Sequence, residues 1–189
     1  MRPQVKRIME TFETSRLRAD RIRGEHGSLV RLMFQDERVC ATLGGVLTDA
    51  RCDRALRRNL DHWDQYGFGI WHFFDRQTDA FVGRAGLRHH QTDDGSNIEL
   101  SYTVMPEFRD HGYATEMSAR ILEIGFGELR LQEVICFTWV TNLPSRCVME
   151  KLGFVFEREG IHAELPHVFY RMTAGQFRRS CDVASDTPG

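Results

Sequence analysis

The residues best placed to do chemistry form one short string, Arg109-Asp110-His111-Gly112-Tyr113-Ala114-Thr115. It lies between a strand-like run and the start of an amphipathic helical pattern. A glycine there lets a ligand approach the backbone, and amides in a helix's first turn have no intrahelical acceptor. With the positive end of the helix dipole behind them, such N–H groups make a pyrophosphate site. Asp110 is electrostatically uncomfortable in a phosphate loop, so its side chain is expected to face solvent. His111 either adds a donor there or has a surface role. One glycine at a loop-to-helix junction is common, so the string takes its meaning from its surroundings.

The surrounding elements are legible from periodicity. Upstream, residues 98–104 alternate: Ile98, Leu100, Tyr102 and Val104 share one side, and Glu99, Ser101 and Thr103 the other. The apolar side is expected to be core. Asp93-Asp94-Gly95 is turn chemistry for an antiparallel hairpin with the preceding strand. Downstream, Ala114, Met117, Ile121 and Ile124 form one helical face. Residues 134–140 read as a buried strand, and 142–152 as a short helix with Asn142 as N-cap and Gly153 past its end. Residues 154–157 and 168–172 read as the last two strands.

In the N-terminal half, residues 17–22 alternate weakly as a first strand. Helices are predicted over 26–40 and 49–66, the second with Leu56, Leu60 and Trp63 at helical spacing and Gly67 at its C-terminal stop. Residues 68–74 form an aromatic-rich strand, and Arg76-Gln77-Thr78-Asp79 turns into another over 80–88. Residues 2–14 read as a polar extension and 176–189 as a frayed tail. The sum is one mixed α/β domain with a strand–loop–helix–strand–helix segment at its centre.

Taken in order, Tyr102-x-Val104-x-Pro106, Arg109-x-x-Gly112-Tyr113-Ala114-Thr115-Glu116, Asn142-x-x-Ser145, Lys151-Leu152-Gly153-Phe154 and Phe169-Tyr170-Arg171-Met172 form a pattern. It resembles the GNAT superfamily of acetyl-CoA-dependent N-acetyltransferases, and within it the branch containing ribosomal-protein N-terminal acetyltransferases. The resemblance spans residues 14–177, leaving 1–13 and 178–189 as terminal extensions. Its specific part is 99–154, while the N-terminal third matches mainly in the order of its elements. It implies an α/β (α+β) fold: a strongly bent, mostly antiparallel mixed sheet flanked by helices, splayed between the fourth and fifth strands, here 98–104 and 134–140.

The same resemblance implies a direct transfer of acetyl from acetyl-CoA, as co-substrate, to a primary amine through a tetrahedral intermediate. The backbone of Tyr102, Thr103 and Val104 would bond the pantetheine arm like an added strand. The amides of Arg109, Asp110, His111, Gly112, Tyr113, Ala114 and Thr115 would cradle the pyrophosphate, with the Thr115 hydroxyl assisting and Asn142 bonding the pantetheine. Ala114 stands where many relatives carry a second glycine. The splay would offer backbone N–H groups to the thioester carbonyl.

Acetyl transfer also needs an ammonium to lose a proton and a thiolate to be protonated or tolerated. Glu99 is the candidate base, directly or through water, against the alternative of a solvated or substrate-binding strand residue. Ser145 is the candidate acid, because matching relatives place a serine there; the alternative is a first-turn serine capping backbone. No tyrosine occurs within 142–152 to take the acid role. The acceptor is a protein N-terminus or a small-molecule amine. A polyamine or antibiotic acetyltransferase and a CoA-binding or ribosome-associated module without catalysis are the alternatives.

Other residues invite weaker readings. His89 and His90 are adjacent on a strand, so both cannot line one pocket. His162 and His167 flank Glu164 without a metal-ligand spacing, and no metal is expected. Cys136 and Cys147 read as small buried residues. Trp63, Phe68, Trp71 and Phe73 line an acceptor pocket or, by their spacing, the core. Arg54, Arg57 and Arg58 read as a solvated helix face or a contact to an acidic acceptor or ribosomal RNA.

Composition excludes several other classes. The 189 residues fit one domain large enough for its own core. With 25 Lys plus Arg against 27 Asp plus Glu, the formal net charge of −2 argues against an electrostatic nucleic-acid partner. Five cysteines without a Cys-x-x-Cys pair argue against a disulfide framework or structural zinc. No secretory signal or membrane-length apolar run is visible. A cytoplasmic monomer or homodimer without membrane association is expected.

Overall fold

The computed structural model describes residues 8–92 and 95–185; Asp93 and Asp94 of the expected hairpin turn lie outside the described residues. Eight hydrogen-bonded strands form a mostly antiparallel mixed sheet flanked by helices, adjacent in chain order except that the eighth lies between the sixth and the seventh. The chain divides into two compact units, Met1–Arg88 with Ser101–Ile121, and His89–Leu100 with Leu122–Gly189.

The first unit contains β1 (Thr11–Glu13), β2 (Leu17–Arg21), α1 (Gly27–Phe34), α2 (Glu37–Cys40), α3 (Asp49–Tyr66) and β3 (Ile70–Asp75). Most of β4 (Phe81–Thr92), the end of β5 (Gly95–Val104) and most of α4 (Tyr113–Glu123) also belong to it. Antiparallel registers such as Ala19↔Phe73 and Trp71↔Ala85 tie β2, β3 and β4 together. In α3, Cys52, Ala55, Asn59 and Trp63 are buried at helical spacing, and Gly67 closes the helix at φ 76°. The Trp63 indole N–H donates to the Ile70 carbonyl at 2.9 Å, and its ring meets Trp71 edge-on. Trp63, Phe68, Trp71 and Phe73 are therefore core.

Two departures from the sequence reading occur here. The helix expected over 26–40 is two helices, because Asp36 accepts hydrogen bonds from the Arg38 and Val39 amides and starts α2 afresh. The supposed extension before Thr14 contains β1, with Phe12 buried between exposed Thr11 and Glu13, and a buried Ile8. One buried residue in a three-residue strand leaves almost no periodic signal.

The second unit holds the end of β4, the start of β5, β6 (Glu133–Trp139), α5 (Leu143–Lys151), β7 (Val155–His162), β8 (Leu165–Thr173) and α6 (Ala174–Ser185). Before β6, α4 passes into a π turn, Ile124–Glu128. β8 lies between β6 and β7, antiparallel to both, with Cys136↔Tyr170 and Phe156↔Tyr170 in register. β7 and β8 run past their expected ends and meet in a tight hairpin. Its turn residues, Ala163 and Glu164, hold φ of 47° and 65° without the glycine or asparagine that normally signals such a turn. The expected tail instead begins as α6, past the anticipated boundary at residue 177. Among the described residues, the parallel pairing of β5 with β6 consists of one registered pair, Glu99↔Ile135. That is the splay expected between the two strands.

Candidate functional site

In the first unit, β5 ends at Val104, a single turn Pro106–Phe108 follows, and α4 begins at Tyr113. The connecting loop turns through two left-handed residues, Asp110 at φ 63° and Gly112 at φ 79°. Aspartate tolerates that conformation better than most side chains, which gives Asp110 a backbone reason to be there. Its side chain is exposed, as expected. The first helical bond runs from the Glu116 amide to the Gly112 carbonyl at 3.0 Å. Among the described residues, the Tyr113, Ala114 and Thr115 amides ahead of it have no backbone acceptor. A Cβ at Gly112 would meet nothing closer than an Arg16 guanidinium nitrogen at 3.6 Å, so glycine here serves the turn. This backbone fits a diphosphate. The amides of Gly112, Tyr113, Ala114 and Thr115 would hold it, and the helix dipole would favour its charge.

The loop is anchored by Glu116, which closes the motif without an assigned role, and by Thr14, Ser15 and Arg16, which no motif contains. Glu116 accepts hydrogen bonds from the Thr14 hydroxyl (2.6 Å), the Ser15 hydroxyl (2.9 Å) and the Arg16 amide (2.9 Å) and Nε (2.7 Å). Burial alone would raise this carboxyl, but the hydrogen bonds from Thr14, Arg16 and Ser15 outweigh it and hold it below its ordinary 4.5. Arg16 also donates to the His111 carbonyl at 2.9 Å and lies 4.3 Å over the Tyr113 ring. On the other flank, Arg109 donates to the Arg38 carbonyl at 2.9 Å, while Arg38 pairs with Asp36 and Glu107. The His111 ring nitrogen turns back onto the Arg109 carbonyl. The sequence carried a signal for Glu116, an acid in the first turn of the helix, but none for its partners a hundred residues away.

Tyr102, Thr103 and Val104 are half-buried in the end of β5. Their position depends on Gly83, where a Cβ would lie 2.2 Å from the Thr103 carbonyl oxygen. No side chain fits between the two strands at that point.

The second unit holds Glu99, Asn142 and Ser145. Glu99 is not a solvated strand residue: it is 6% exposed and sits at the one registered β5–β6 pair. Its Oε2 lies 3.4 Å from His90 Nδ1. Asn142 caps α5 as expected, accepting from the Ser145 amide at 3.3 Å and donating to the Thr138 hydroxyl at 2.9 Å. An asparagine amide has two donor hydrogens and two lone pairs, so this leaves capacity for a ligand. Ser145 is half-buried in the first turn, with its amide engaged in the cap.

His90 and His162 lie together with rings 5.1 Å apart, while His89 is exposed. Cys136 is buried, donates to the Leu100 carbonyl at 3.3 Å, and is pushed up by burial and by the Glu99 carboxylate, so its thiol stays protonated. Cys147 is exposed, contrary to expectation, because α5 turns that face outward. Arg54, Arg57 and Arg58 are on the exposed face of α3. Among the described residues, no group of three or more His, Cys, Asp or Glu could hold a metal, and no helix is long and apolar enough to cross a membrane.

Comparison with known proteins agrees with this geometry. Residues 16–155 match the acetyltransferase (GNAT) domain family. The uncharacterised N-acetyltransferase YnaD of Bacillus subtilis is 39% identical over 62 residues, 33% of this chain and 35% of that protein. The curated relatives are thus matched over about half of their length or less. An acetyltransferase from Agrobacterium tumefaciens superposes with a TM-score of 0.76 at 19% identity, covering 91% of this chain and 99% of that one. A spermidine N-acetyltransferase from Vibrio cholerae, solved with CoA and spermine, gives 0.70 at 14% identity over 87% and 99%. With three-quarters of its residues inside that domain match, the chain belongs to the GNAT family of acetyltransferases.

Proposed function

We propose that the protein transfers acetyl from acetyl-CoA to a primary amine by direct attack, without a covalent enzyme intermediate. The observation that carries this reading is the loop ahead of α4: a left-handed glycine followed by three first-turn amides that no backbone acceptor among the described residues engages. Tyr102, Thr103 and Val104 bond the pantetheine arm, and Arg109, Asp110, His111, Gly112, Tyr113, Ala114 and Thr115 surround the pyrophosphate. Asn142 adds a bond to the pantetheine through its remaining amide capacity.

Glu99 takes a proton from the acceptor's ammonium, and the freed amine attacks the thioester carbonyl. Backbone N–H groups of β5 and β6 beside Glu99 stabilise the oxyanion. Ser145 supplies a proton as the thiolate leaves. No cysteine is required, which agrees with the protonated, buried thiol of Cys136.

The acceptor is a protein N-terminus or a small-molecule amine, and acceptor choice resides in loops around the site. A screen of tetrapeptides with free N-termini, amino acids, polyamines and aminoglycosides, read by thiol release from acetyl-CoA, tests the reading. Turnover on one amine class is the expected result. Tight acetyl-CoA binding with no turnover on any amine would establish a CoA-binding module instead.

A further inference from the structure

We infer that Glu99 does not act alone: it works as a pair with His90, a positioning residue that orients the carboxylate and weakens it as a base at low pH. This inference rests on the proposed base role of Glu99. The two residues come from β4 and β5, and both are largely withdrawn from solvent, with side chains 19% and 8% exposed.

Their contact is directional. A carboxylate only accepts, so the His90 nitrogen facing it carries the hydrogen and donates toward Oε2. At 3.4 Å the contact is long, as such contacts often are before a site fills. One oxygen of Glu99, Oε2, is thereby held in place. The His90 ring is itself fixed, lying 4.9 Å from Phe137 and 5.1 Å from His162. Phe137 in turn meets His162, His167 and Phe169 at 4.8, 5.8 and 5.3 Å. A ring held on two sides cannot swing away, and the carboxylate beside it inherits that order.

The titratable groups around His90 come from every neighbouring strand. Glu99 faces it from β5, the Cys136 thiol lies near Glu99 from β6, His162 faces it from β7 and His167 lies beyond from β8. Arg158 stands over the Phe169 ring at 4.2 Å, and Arg88 and His89 flank His90 on its own strand. His167 donates from Nδ1 to the Leu165 carbonyl, which fixes its tautomer. Of these imidazoles, His90 has the Glu99 carboxylate directly opposite, so a proton taken up there forms an ion pair with it. An imidazolium there competes with the acceptor's ammonium for the carboxylate. The cluster is thus a brake that engages as pH falls.

The test compares wild type with His90→Asn, His90→Phe and Glu99→Gln, with acetyl-CoA titration confirming that each variant keeps its fold. Asparagine places an N–H where Nδ1 stood but cannot ionise. Activity is read as kcat against pH with spermine or a tetrapeptide beginning with serine, whichever turns over. His90→Asn should keep kcat near pH 8 and move its acid-side fall to lower pH. His90→Phe should lose about tenfold or more in kcat, with KM for acetyl-CoA unchanged. An acid-side fall unmoved in His90→Asn, or wild-type kcat in His90→Phe, would overturn the pair.

Glu99→Gln separates the two claims. Wild-type kcat in that variant would remove Glu99 as the base, and the pair with it. A loss of about a hundredfold there, beside an unaffected His90→Phe, would leave the base standing and sink only the pair. A titration of the imidazole C–H resonances needs no acceptor. The His90 midpoint should move to lower pH by about one unit or more in Glu99→Gln, and an unmoved midpoint contradicts the pairing.

Discussion

The loop before α4 and the surroundings of Glu99 are built by opposite means. The loop is main chain: two left-handed residues, open first-turn amides and a brace from Glu116 and Arg16. The Glu99 environment is side chain: a carboxylate, imidazoles and aromatic rings drawn from β4, β5, β6, β7 and β8. A backbone site holds a ligand's charge with groups that do not titrate. A side-chain site moves a proton with groups that do. The first is broken by adding atoms, the second by removing a function.

The largest effect that this contrast predicts is on turnover. Glu99→Gln should lower kcat by about a hundredfold or more while leaving acetyl-CoA affinity close to wild type, read by steady-state kinetics and calorimetry. A parallel loss of both would blur the division between the two regions.

Gly83→Ala should act in the other direction. Its Cβ would fall 2.2 Å from the Thr103 carbonyl oxygen, so β4 and the end of β5 must shift. A stability loss of about 1–3 kcal/mol is expected in denaturant titration, with weaker acetyl-CoA binding. Wild-type affinity at full stability would detach Tyr102, Thr103 and Val104 from the cofactor.

His72 provides a pH test within the first unit. Burial, then the neighbouring His26 and Arg84, lowers its imidazole from 6.5 to about 3. The unfolded chain binds a proton there below 6.5 that the native state refuses, so stability falls as pH drops from 6.5 toward 3. The limiting slope is about 1.4 kcal/mol per pH unit. His72→Phe should flatten the Tm profile over that window, and an unchanged slope would place the acid sensitivity elsewhere.

Glu116→Gln should give the smallest shift, about 1 kcal/mol, because glutamine keeps one acceptor oxygen for four donors. The Glu116 carboxyl is held below 4.5, so its contribution is present above that pH and lost as pH falls through the lowered value. The gap between wild type and Glu116→Gln in thermal melts should therefore close in acid.

How much was readable in advance follows the same division. The loop string, the Asn142 cap and the α3 boundaries Asp49–Tyr66 are local, and local chemistry writes itself into consecutive residues. β1 was missed because one buried phenylalanine has no period, and the β7–β8 turn because Ala163-Glu164 lacks the usual turn residues. Glu99 was read as the polar side of an alternating strand, yet both sides of β5 are covered at that point. Its partner His90 is near in sequence, but the rings of Phe137, His162 and His167 that frame it come from strands brought together only by the fold.

The central claim, that the loop before α4 holds acetyl-CoA by its backbone, is tested most directly by titrating acetyl-CoA calorimetrically into wild type and Gly112→Asp. Asp110 already occupies a left-handed position in the same loop, so an aspartate at 112 adds negative charge and bulk with less strain than most residues would. Wild type should bind, and the variant should lose about tenfold or more in affinity. Equal binding by both, or none by wild type, would contradict the account.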